Sequence, residues 1–174
     1  MTTIPEYQKR IEEREIIKKE MRTTIIIGLS LILFTAVLGL ISYVVKVRPV
    51  MDSEKLGNIW WGASLAVVLI IIAILGVRRT IYYSPKLIKD DFTLVQVLRK
   101  WRIIDTILLA VTAIFPVCGL VLTFLGMSFD KNFHFFVGAG LLMIILIPME
   151  IKVRSKLELL RQHLPEANFN RNRL

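Results

Sequence analysis

The sequence predicts an all-α polytopic membrane protein. It has four transmembrane helices, an amphipathic N-terminal helix and a short interfacial helix before the third span. Three observations lead there. Of 174 residues, 55% are hydrophobic, too many for a soluble domain of this length to cover with polar surface. They fall in long blocks rather than in stripes of period 2 or 3.6, which is the membrane pattern. The basic residues gather in alternate segments between those blocks.

Four blocks approach or exceed the roughly 20 residues that cross a bilayer at about 1.5 Å each. They run from Thr24 to Val45, from Ile59 to Val77, from Ile103 to Phe129, and from Phe133 to Met149. Lipid admits only helices or closed barrels, and these blocks lack the alternation of barrel strands. The first follows a charged segment, residues 1–23, and has no clear cleavage site after it, so it reads as a retained signal anchor. Residues 24–77 then form one transmembrane hairpin and 103–149 a second, with 78–102 as connecting loop and 150–174 as tail.

The charge distribution orients the chain. Of 23 Lys and Arg residues, nineteen lie in residues 1–22, 78–102 and 150–174, and four lie in the other two loops. The positive-inside rule places both termini and the central loop in the cytoplasm, in the cell's inner or plasma membrane or its equivalent. The formal charge of +9 then belongs beside anionic lipid headgroups. No basic patch with interleaved stacking aromatics occurs in a soluble domain, which argues against nucleic-acid binding.

Thr3 and Glu6 form a capping-box pattern at the N-terminus, with Pro5 tolerated in the first turn. Glu6–Arg10, Lys9–Glu13 and Glu15–Lys19 add opposite charges at i,i+4. Ile4, Tyr7 and Ile11 make a narrow apolar stripe, suited to a solvated helix or to one that docks on a partner. In the central loop, Ser84-Pro85 should stop the second helix. Thr93 and Gln96 repeat the capping box, and Leu94, Val97, Leu98 and Trp101 share one face. That segment reads as the interfacial helix, with Arg99, Lys100 and Arg102 around the apolar face. Tyr82, Tyr83 and Trp101 are expected at headgroup depth, beside the basic Arg78 and Arg79, and Trp60 and Trp61 at the opposite interface.

A shift of 80 pairs Gly39 with Gly119, and a shift of 76 pairs Gly62-Ala63 with Gly138-Ala139. These matches suggest a duplicated hairpin and mark the six small residues as places where helices approach closely.

The stretch "FPVCGLV" resembles the local pattern of the ion-carrying helix in rotary ATPase c subunits, a family of helical hairpins. That pattern needs a carboxylate six residues before the glycine, where this chain has Ala113. The order of loops and termini is also inverted, so the likeness carries no function. No span holds a Lys, Arg, Asp, Glu or His at its centre, the position where one would point to function. Asp105 and Glu150 lie near span ends and are expected in local pairs with Arg102 and Arg154. His134 and His163 fall on opposite sides of the membrane and cannot share a haem or metal. Cys118, the only cysteine, has no disulfide partner and reads as a small buried residue. Thr35, Ser42, Thr106, Thr112 and Thr123 look too scattered to make a polar path. Pro116 and Pro148 should kink their helices.

The sequence therefore favours a non-catalytic accessory or scaffolding subunit of a larger membrane complex. It would act through helix and lipid contacts with other membrane subunits and anionic lipids. It would carry no cofactor of its own, with bound phospholipid or a quinone as the expected small ligands. A small homo-oligomeric transporter or channel is the alternative.

Overall fold

The computed structural model describes residues 6–45, 47–50, 52–83 and 93–163. They form α1 (Glu6–Val44), α2 (Ser53–Tyr83), α3 (Leu94–Thr112), α4 (Ile114–Phe124), α5 (Phe129–Leu146) and α6 (Glu150–His163). Among the described residues four stretches are long and apolar enough to cross a membrane: Ile11–Val44, Ser53–Thr80, Leu94–Phe124 and Phe129–Leu146. The chain is a polytopic all-α membrane protein.

Local chemistry sets the helix ends. Thr93 is extended, its hydroxyl accepts from the Gln96 N–H, and the Gln96 side chain accepts from the Thr93 N–H at 2.9 Å. This is the capping box that the spacing predicts. The Thr3–Glu6 box and the Ser84-Pro85 break lie outside the described residues.

Pro116 cannot donate to the carbonyl of Thr112, four residues back, and its ring crowds it. The helix breaks one residue later, at Ala113, whose φ of −66° and ψ of −13° remain helical, so α3 and α4 are one kinked span. Pro148 acts more severely. Ile147 before it is extended (φ −59°, ψ 124°), as a residue preceding proline prefers, so α5 stops at Leu146 and α6 starts afresh at Glu150. The fourth span thus ends before the expected Met149.

Its start also moves. Phe129 opens α5 instead of closing the third span, because the chain reverses at Gly126. There φ is +100°, the Met127 N–H bonds to the Leu122 carbonyl and the Gly126 N–H to that of Thr123. Those two bonds are a Schellman cap, with Leu122 and Met127 supplying its apolar contact. The Val50 N–H reaches the Leu125 carbonyl at 3.3 Å, tying the two short loops together at this end.

The kinked span α3–α4 and α5 pack together along their length, and α1 lies against both. Helix α2 sits on another side, touching α3, α4, α5 and α6, and barely meets α1. A duplicated hairpin would repeat the α4–α5 contact between α1 and α2. The two halves are not packed alike.

The described residues form two cores. The larger lies within the spans and includes Phe115, Leu122, Phe135, Leu142, Met143 and Leu146. The second lies at the basic end, where α1 and α3 begin: Ile17 and Met21 of α1, Leu94, Val97, Leu98 and Trp101 of α3, and Val153 and Leu157 of α6. The segment read as an interfacial helix is thus the start of α3, and its apolar face is covered by the chain's own helices. Likewise the apolar face of α1 that packs is set by Ile17 and Met21, while Ile11 stays exposed.

Gly126 and Gly138 should respond oppositely to alanine. A Cβ on Gly126 would run into the backbone of Pro49, on a φ that L residues avoid, whereas one on Gly138 meets nothing within 4 Å. Gly126→Ala is expected to cost on the order of 2 kcal/mol, and Gly138→Ala to be neutral or to gain up to about 1 kcal/mol from helix propensity. Thermal unfolding in detergent checks both signs.

Candidate functional site at the break between α5 and α6

The break at Pro148 leaves the last carbonyls of α5 without helical donors, near an end of the span where water is scarce. Arg78, near the end of α2, supplies the donors. Its guanidinium donates to the carbonyls of Ile145 and Leu146, the latter at 3.1 Å. The Nε of the same side chain lies 3.4 Å from Oδ1 of Asp105 on α3. Asp105 is fully buried and Arg78 only 16% exposed, so the planar fork joins three elements, with its carboxylate side closed off from solvent and its carbonyl side toward the surface.

Two expectations change here. Arg78 is an internal clamp rather than a lipid-facing residue. Asp105 pairs with Arg78 rather than with Arg102, which reaches across to Glu20 of α1 at 3.1 Å. Arg102 lies on the side of α3 that meets α1, and the carboxylate one turn further along is turned inward. Glu150, the first residue of α6, does approach Arg154, at 3.6 Å, and also takes Nε of Arg14 at 2.6 Å. Ion pairs therefore bind the start of α1 to both α3 and α6.

The other sequence-marked residues separate. Trp101 is 2% exposed inside the basic-end core and is not available to headgroups. Arg79, Arg99 and Lys100 are exposed. Tyr82 and Tyr83 close the α2 backbone, and their side chains lie outside the described ones. Trp60 donates to the Lys131 carbonyl at 3.1 Å and stands edge-on to Trp61 and His134. Trp61 is exposed, and His134 lies 3.0 Å from the Ser64 hydroxyl. The described residues of the tail end at His163, whose side chain lies outside them.

Of the small residues, Gly39 and Gly119 flank one ring. A Cβ on Gly119 would meet Phe136 at 3.0 Å and Phe135 at 2.9 Å, and one on Gly39 would meet Phe136 at 3.6 Å. Ala139 is buried in the main core and Ala63 packs against it, but Gly62 and Gly138 face open space. Gly28, which the repeat does not mark, is the tighter site: a Cβ there would lie 2.7 Å from Ile147.

The hydroxyls are less scattered than their spacing implies. Thr35, Ser42, Thr112 and Thr123 are all buried, with Thr24 and Asn132. Thr24 meets Thr106 at 3.3 Å, Ser42 meets Thr123, and Asn132 donates to Thr123 at 3.1 Å and to the Gly119 carbonyl at 3.3 Å. Each is spent on a neighbouring helix or its own backbone, which is the use polar side chains have as glue in lipid. Cys118 is half-buried at the edge of the main core. Among the described residues no three His, Cys, Asp or Glu side chains converge as a metal would need.

Removing either partner of the clamp should be costly, and unequally so. Arg78→Met strands the Asp105 carboxylate and two carbonyls, for a loss of about 3–5 kcal/mol. Asp105→Asn leaves the guanidinium on its carbonyls and should cost about 1–3 kcal/mol. Chemical unfolding of the detergent-solubilised variants gives the order. Equal losses would mean that the carbonyl contacts contribute nothing.

Compared with known proteins, the chain matches no family model, no curated protein and no solved structure.

Proposed function

We propose that this protein is a non-catalytic accessory or scaffolding subunit of a larger integral membrane complex. It acts by helix–helix and lipid contacts, with both termini on the cytoplasmic side. The observation that carries the reading is the outer face of α2. Only 11% of its most apolar stretch is buried within the chain, against 28%, 44% and 39% in the other three spans. Its inner face is one stripe, Leu56, Trp60, Val67, Ile71, Ile74 and Arg78. Directly opposite runs Gly62, Ala66, Leu69, Ala73 and Gly76, at heptad spacing over about 21 Å of helix.

All five are exposed apart from any reckoning of size, and a Cβ at Gly62 or Gly76 would meet nothing within 4 Å. Lipid tails gain nothing special from such a face, because they are as apolar as leucine. A second helix does, because small residues let its backbone come close and earn dispersion contacts. The polar side chains buried inside the bundle are engaged in holding it together, which leaves interfaces as the chain's outward feature. The nineteen basic residues in the segments at one end, against four at the other, support the orientation.

The test is the mass and composition of the particle extracted from its native membrane in mild detergent. The expected particle holds this chain with different, larger membrane subunits, and Gly62→Leu with Gly76→Leu releases it while the isolated chain still folds. A chain recovered alone contradicts the proposal. A symmetric homo-oligomer would instead favour the small transporter or channel, to be tested by flux in vesicles.

A further inference from the structure

At the basic end a cleft of about 540 Å³ opens between α2 and α6. It exists because Pro148 ends α5 and sends α6 off on a new line, leaving a notch beside the end of α2. Arg79 of α2 and Lys152 and Lys156 of α6 line it, with the Arg78 clamp in its inner wall. Lys152 and Lys156 are one helical turn apart and share a face. Among the described residues no acidic side chain lines the cleft.

Apart from Ser155, the rest of the wall is apolar and includes Leu75 and Ile151. Leu75 lies one turn nearer the span interior than Arg79, and Ile151 is 81% exposed, more than any other large hydrophobic residue described. Polarity therefore changes along the cleft, from hydrocarbon-like beside the span to cationic where the helices leave it. A free anion would use only the cationic part and leave Ile151 uncovered. A lipid with a phosphate headgroup matches both parts, and the volume falls within the usual range of about 300–1,000 Å³ for small-molecule sites.

We propose that this cleft is a binding site for one anionic glycerophospholipid. The phosphate lies among Arg79, Lys152 and Lys156, and an acyl chain runs over Ile151 and Leu75. This gives the lipid contacts of the proposed function a defined place. It does not depend on the partner reading, since its readout is bound lipid rather than associated protein.

Native mass spectrometry of the purified full chain, exchanged against equal amounts of phosphatidylglycerol and phosphatidylcholine, tests it. The expected result is one phosphatidylglycerol retained per chain, preferred over phosphatidylcholine by at least about tenfold, since two or three added cations at a membrane surface imply up to roughly a hundredfold. Arg79→Gln with Lys152→Gln should lower retention at least about fivefold. Lys18→Gln with Lys19→Gln, which removes two exposed charges from α1 instead, should leave it unchanged. Inorganic phosphate at millimolar concentration should not displace the lipid. Equal retention of the two lipids, equal losses in the two double variants, or displacement by phosphate alone would each overturn the proposal.

Discussion

A single guanidinium has to satisfy a buried carboxylate and two helix-end carbonyls where the chain leaves the membrane. Neither demand can be left to solvent: an unpaired carboxylate out of water costs several kcal/mol, and so do exposed carbonyls in hydrocarbon. Arg78 answers both because its donors are fixed in a plane and point in different directions. A lysine in its place would bring the charge but not the fork. The rest of the architecture follows from that junction. Helix α2, the least buried of the four spans, is pinned to α3 and α5 there. The freed α6 can fold back onto α1 and α3 instead of continuing α5.

The two ends of the bundle are held by different means. At the basic end a small core around Ile17, Leu98, Trp101 and Leu157 extends the helices beyond the spans, and Glu20 and Glu150 bind its elements with ion pairs. At the other end the Schellman cap at Gly126 and the Val50–Leu125 backbone bond close two short loops over the bundle, and the Trp60 side chain ties α2 to the Lys131 carbonyl of α5. Between them the spans meet through small residues and hydroxyls, with Gly39 and Gly119 admitting Phe136 and Ser42 reaching Thr123. Close backbone approach and internal polar pairing are how helices gain affinity where water supplies no hydrophobic drive.

The features legible in the sequence were those that one segment determines alone. Hydropathy over about twenty residues is such a property, and so are the Thr93–Gln96 box and the breaks near Pro116 and Pro148. The Arg78–Asp105 clamp was not legible, because each residue sits near a span end and looks like an ordinary boundary charge. Only the lateral order of the helices brings them together. The buried face of the α3 start was misjudged for a related reason: an apolar stripe at a membrane boundary looks the same whether lipid or another helix covers it. Gly126 could have been read from "TFLGMS", since a glycine just past an apolar helix is a stop signal. The threonines looked scattered because they lie on different helices and meet only across them.

Arg78 and Asp105 act as one pair across α2 and α3, and a double-mutant cycle tests that most directly. Asp105→Asn is introduced into the Arg78→Met background and unfolding free energies of all four proteins are compared. If the carboxylate is stranded when Arg78 is removed, neutralising it must recover part of the lost stability. The double variant should then be more stable than Arg78→Met alone, though below the parent because the α5 carbonyls stay unpaired. Losses that simply add would show that the two side chains do not act as a pair, and would contradict the account.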